Sequence, residues 1–79
     1  MKARIIVTLK PGVLDPQGKA IEAALKSLAV DGVEGVRQGK VFDIEMATTD
    51  GAVAEVTLRT ACEKLLANTV VENYAIEIL

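Results

Sequence analysis

The sequence predicts a small α+β domain, a two-layer sandwich in which an antiparallel or mixed sheet carries two helices on one face. Three observations lead there. Lys2–Lys10, Lys40–Met46 and the closing "NYAIEIL" alternate apolar and polar residues with the period of half-buried strands. Two intervening segments place apolar residues at helical spacing behind an aspartate. The chain has 79 residues, enough for one domain and too few for two.

In the first strand Ala3, Ile5, Val7 and Leu9 point one way. Lys2, Arg4, Thr8 and Lys10 point the other, with Ile6 as the exception. "KPGVLDPQG" then turns the chain. Asp15 suits the N-cap of a helix, and Pro16 suits its first position, where a missing N–H costs nothing. Gly18 falls inside that first turn, where glycine costs up to ~1 kcal/mol relative to alanine. Its presence there suggests close approach by another backbone or surface. From Pro16 to about Leu28, Ala20, Ile21, Ala24, Leu25 and Leu28 make one apolar stripe, and Glu22 and Lys26 form a favourable exposed pair. "VDGVEG" ends the helix.

"VRQGKVFDIEMA" reads in two ways. Gln38-Gly39 as a hairpin turn gives the order β-α-β-β-α-β. Gly39 as a bulge in one long bent or split strand gives β-α-β-α-β, the preferred order because the part before Gly39 is short. Phe42, Ile44 and Met46 alternate there with Val41, Asp43 and Glu45. "TTDG" caps the second helix, whose Ala54, Leu58, Ala61, Cys62 and Leu65 share the sheet-facing side, with Val53 and Val56 turned away. Asn68 reads as its C-cap. In the last strand Tyr74, Ile76 and Ile78 alternate with Ala75 and Glu77.

Composition excludes much chemistry. Nine Lys+Arg against eleven Asp+Glu give a net charge of -2, and Phe42 and Tyr74 are the only aromatics. That leaves neither a basic footprint nor a stacking platform for nucleic acid. No segment approaches the ~20 apolar residues of a membrane span, and the start lacks a signal peptide's apolar core, so a cytoplasmic protein is expected. There is no histidine and one cysteine, which excludes a His-based triad, a CxxC pair, an intramolecular disulfide and a His/Cys zinc site within one chain. Cys62, mid-helix on the apolar side, reads as a small core hydrophobe. Hydrophobic residues make up 51% of a chain too short for a large core, which predicts a homo-oligomer, dimer or tetramer.

The remaining candidates are polar and scattered. Asp15, Asp31 and Asp50 are explained as caps and turn formers. Asp43 and Glu45 share the outer face of a strand, where solvation is a simpler reading than cation binding. Arg37 and Lys40 bracket a glycine, as a solvated turn or as charges converging on a phosphate or a partner's carboxylates. Asn68, Thr69, Glu72 and Asn73 lie between a helix end and a strand, suited to turn chemistry or to partner contact. No group stands out as catalytic or metal-binding.

"GVLDPQGKAI", "VRQGK" and "CEKLLANTVVENY", in that order, resemble the small PurS-type subunit of bacterial phosphoribosylformylglycinamidine synthase, over essentially the whole chain. Ala47 to Arg59 match least. The resemblance implies a three-subunit enzyme of purine biosynthesis. In it a glutaminase releases ammonia, and a large synthetase uses ATP and magnesium to activate formylglycinamide ribonucleotide for amidine formation. The small subunit is implied to carry no catalytic group and no cofactor, to bridge the other two, and to help ammonia pass between them. Its partner-contact candidates here are Asp15, Pro16, Gln17, Gly18, Arg37, Lys40, Asn68 and Glu72. A different class, a dimeric small-ligand-binding regulatory domain, also uses small α+β sandwiches, by analogy of fold alone.

Overall fold

The computed structural model describes residues 1–79. Its elements run β1 (Lys2–Leu9), α1 (Pro16–Ser27), β2 (Gly39–Glu45), α2 (Gly51–Ala61), a π-helical turn (Cys62–Leu66) and β3 (Glu72–Ile78). The sheet order is β2-β1-β3, with β1 antiparallel to both neighbours. The α+β class and the order β-α-β-α-β are those expected from the sequence.

Alternation on β1 places Ala3, Ile5 and Val7 in the core, where Leu58, Cys62 and Ala67 cover them. Phe42 and Ile44 from β2 and Met46 just beyond it, with Tyr74 and Ile76 from β3, pack at its margin and are half-buried. The outer face forms cross-strand rows. Glu77, Arg4 and Asp43 stand abreast, with Arg4 Nε donating to Asp43 Oδ1 at 2.8 Å, and the next row is Ala75, Ile6 and Val41. Asp43 is thus engaged by Arg4, and Ile6 has apolar neighbours on a face otherwise mainly polar.

The two helices have different tasks. β2 and β3 flank β1 and run parallel to each other, so their connection must travel the length of the sheet, and α2 covers it on the way. β1 and β2 are antiparallel neighbours, so the chain leaves and returns at the same end, and α1 is free to project beyond the sheet. It buries only Gly18; Ile21 is 38% and Leu28 73% exposed. The molecule is accordingly long, 48 × 25 × 15 Å, with a radius of gyration of 15.9 Å. A compact chain of this length would have about 12 Å. The apolar stripe of α1 therefore faces away from its own sheet, unlike that of α2.

Other local expectations shift for identifiable reasons. Gly39 is neither a bulge nor a hairpin turn; it is the first residue of β2, opposite Thr8. The preceding segment does not pair in the sheet because side chains take its amides: Val36 N donates to Glu22 Oε1 and Gln38 N to Asp15 Oδ2. Glu22 ion-pairs with Lys19 at 3.4 Å instead of Lys26. α1 closes in a Schellman arrangement: Ala29 N donates to Lys26 O, Val30 N donates to Leu25 O, and Ala29 holds φ 58°. The π-helical turn inserts an extra residue after Ala61, so Leu65 swings out to 82% exposure while Leu66 and Ala67 turn inward. Asn68 caps nothing on α2: its Oδ1 accepts from Val70 N at 3.2 Å, opening the turn into β3.

Candidate functional site

Most of the polar candidates meet at one end of the sheet. There the last residues of β1, the first of β2 and the first of β3 lie side by side. Lys10 N donates to Val71 O at 2.9 Å, joining the β1–α1 turn to the turn before β3. An open groove of about 660 Å³ lies at this end, with Val7 and Leu9 of β1 in its lining. Asp15, Pro16 and Gln17 at the start of α1, Gln38, Gly39 and Lys40 at the start of β2, and Glu72 at the start of β3 complete its lining.

Asp15 is the organising residue. It is buried, and its two oxygens do different work. Oδ1 accepts from Gly18 N at 2.9 Å, the expected N-cap, while Oδ2 accepts from Gln38 N at 2.7 Å across the loop. The Gln38 amide first, then the Gly18 amide, hold its carboxyl below the usual carboxylate range. Gly18 is small for a reason inside the chain: a Cβ there would run into the Val36 carbonyl and come within 2.9 Å of Asp15 Oδ2. The close approach expected of a neighbouring surface is made by this chain's own return segment.

Arg37 does not converge with Lys40. Its guanidinium donates back to Val13 O at 2.8 Å and Lys10 O at 3.1 Å, tying the loop to the end of β1. Lys40 Nζ reaches Glu72 Oε2 at 3.8 Å, and Glu72 Oε1 accepts from Asn68 N at 2.7 Å. Polar links thus run from the α1 cap through Gln38, Gly39 and Lys40 to Glu72 and Asn68. Five of the eight candidates, Asp15, Pro16, Gln17, Lys40 and Glu72, line the groove. Gly18, Arg37 and Asn68 stand behind it as supports.

Two features escaped the sequence reading. Tyr74 donates its phenol to Glu63 Oε1 at 2.8 Å, and that bond raises the phenol above its ordinary value. Glu22 ties α1 to the return segment through Val36, which pulls its carboxyl down. Neither had a sequence signal, since both partners lie far along the chain. Cys62 is fully buried, and burial raises its thiol, which keeps it protonated and inert at neutral pH. No His/Cys/Asp/Glu group is arranged to hold a metal ion.

The class is that of a small, open-faced α+β domain whose singular residues sit in caps and turns at one sheet end. The family model for PurS, described as phosphoribosylformylglycinamidine (FGAM) synthase, matches residues 2–79, and the chain belongs to that family. Among its relatives is the PurS subunit of that synthase from Synechocystis sp., 51% identical over 95% of this chain and 75% of the relative. That from Bacillus subtilis is 43% identical over 98% and 90%. The fold superimposes on B. subtilis PurS with a TM-score of 0.86, at 43% identity, over 96% of this chain and 94% of that one. It also superimposes on a chain in the structure of PurLQS from Thermotoga maritima with a TM-score of 0.90, at 35% identity, over 99% and 95%.

Proposed function

We propose that this chain is the small, non-catalytic subunit of phosphoribosylformylglycinamidine synthase in purine biosynthesis. It joins a glutaminase to an ATP-dependent synthetase and assists ammonia transfer between them. The observation that carries the reading is the near-complete superposition on a chain of the PurLQS complex, at 35% identity. Chemistry supports a role without an acid or base. Ammonia exposed to water is protonated and loses the lone pair it needs for attack, so holding two active sites together and excluding solvent has value in itself. ATP and magnesium belong, in this reading, to the synthetase and not to this chain. The cytoplasm is the compartment proposed; no helix is long and apolar enough to cross a membrane.

A second copy of the chain is part of the proposal. Ile21 on α1 and Leu28 at its C-cap, with Leu14 at 70% exposure before the helix, find no cover in one chain. Phe42 and Ile44 on β2, and Met46 just after it, are only partly covered. A helix stripe without a sheet and a sheet margin without a helix complement each other, and two copies bury both.

The deciding experiment reconstitutes the synthetase and glutaminase with and without this chain. Product formation is then compared with glutamine and with ammonium salt as nitrogen source. Omission is expected to cripple the glutamine-driven reaction far more than the ammonia-driven one. Equal rates with and without the chain would overturn the assignment.

A further inference from the structure

We infer that Asp15 is the base clamp of an arm, residues 15–38, that is held to its own sheet by polar side-chain contacts instead of core packing and opens separately from that sheet. A helix of twelve residues is marginal in water without apolar burial, and α1 contributes no apolar side chain to the core. What fixes it within the chain is a set of side-chain-to-backbone bonds. Asp15 Oδ2 accepts from Gln38 N, joining the two ends of the arm. Arg37 ties the same base to Lys10 O and Val13 O, and Glu22, midway along α1, accepts from Val36 N near the end of the return segment. Gly18 lets the two halves of the arm approach, since the Val36 carbonyl occupies the space of a Cβ. These bonds cluster where the arm leaves the sheet. The base clamp therefore decides the direction in which Ile21 and Leu28 are presented.

Asp15 would be expected at an N-cap on local grounds alone, so the two roles must be separated. As a plain cap, Asp15→Asn is equivalent to the parent, because asparagine and aspartate cap about equally well. At the clamp the two side chains differ. In Asp15→Asn, one oxygen still accepts from the Gly18 amide, but an NH2 group then faces the Gln38 N–H, donor against donor.

The test is hydrogen exchange, resolved by segment, on the full chain and on D15N at equal concentration. The clamp predicts that amides between residues 19 and 38 exchange about ten- to a hundredfold faster in D15N, while β1, α2 and β3 keep their wild-type rates. Unchanged rates in the arm would reduce Asp15 to a cap and overturn the inference. A uniform acceleration through arm and sheet would overturn it too, because the arm would then belong to the global unit. If D15N does not fold, Arg37→Gln carries the same comparison, since it loosens the base from an exposed position. The result does not depend on the enzyme assignment, which the reconstitution tests by itself.

Discussion

Replacing Gly18 by alanine sets helix propensity against packing, and the two predict opposite signs. Gly18 has an ordinary negative φ and lies in the first turn of α1, so propensity alone makes alanine better by up to ~1 kcal/mol. Packing opposes this. The new methyl meets the Val36 carbonyl, a backbone group, and stands 2.9 Å from Asp15 Oδ2. Val36 cannot yield cheaply, because its own amide is bonded to Glu22 and Gln38, two residues on, is bonded to Asp15. Overpacking costs typically ~1–3 kcal/mol, and a constrained backbone neighbour puts this case at about 2–3 kcal/mol. The difference is a net loss of about 1–2 kcal/mol, or a fall in melting temperature of roughly 4–16 °C for a domain of this size. Thermal unfolding followed by circular dichroism reads it, at one fixed chain concentration because association shifts the midpoint. A variant that melts at or above the wild-type temperature would refute the account of why this glycine is here.

Four further outcomes follow from the same geometry. Ala29→Gly relieves a left-handed alanine that costs about 1–2 kcal/mol against a glycine entropy loss of ~0.5–1 kcal/mol, so urea unfolding should show a gain of about 0.5–1 kcal/mol. Leu58→Ala, at 2% exposure, should lose about 2–5 kcal/mol, whereas Leu65→Ala should stay within ~0.5 kcal/mol for the isolated chain in urea. Because the folded-state pKa of Asp15 lies below its ordinary 3.8, its contribution is complete above that value and is lost as pH falls through the lower one. Acid titration of D15N followed by arm hydrogen exchange should accordingly show a smaller weakening below about pH 4 than the parent, the remainder belonging to Glu22, whose carboxyl is held down by its bond to the Val36 amide. Ile21→Glu combined with Leu28→Glu should shift sedimentation toward the monomer while leaving the sheet's circular dichroism in place.

How much the sequence revealed depends on the range of the interaction involved. Both aspartate caps, the proline at the start of α1, the inward set Ala3, Ile5 and Val7, and buried Cys62 follow from local pattern, and the structure realises each of them. The site was legible as residue types, less so as contacts. Asp15 was visible as a cap through its bond to Gly18, three residues on, but its bond to Gln38 spans 23 residues and has no periodic signature. Arg37 and Lys40 look like a pair in sequence, yet each is claimed by a different distant partner. Leu65 was misplaced by one inserted residue in the π-helical turn, because period counting assumes an unbroken helix.

The two helices show why amphipathic pattern alone does not place an element. Both have a proper cap and an apolar stripe, and by pattern both belong on the sheet. Connectivity separates them. The link from β2 to β3 joins strands that run the same way on opposite sides of β1, so α2 has to cross the sheet and bury its stripe there. The link from β1 to β2 joins antiparallel neighbours at one end, so α1 is under no such constraint and carries its stripe outward. An apolar face on a helix that its own fold does not oblige to pack is available to another chain. On the function proposed above, and with the one thiol buried and protonated, that face and the groove beside Asp15 are the surfaces the chain offers to other molecules. On that same proposal, the 48 Å length that the projecting α1 confers is what lets so small a chain touch two larger neighbours at once.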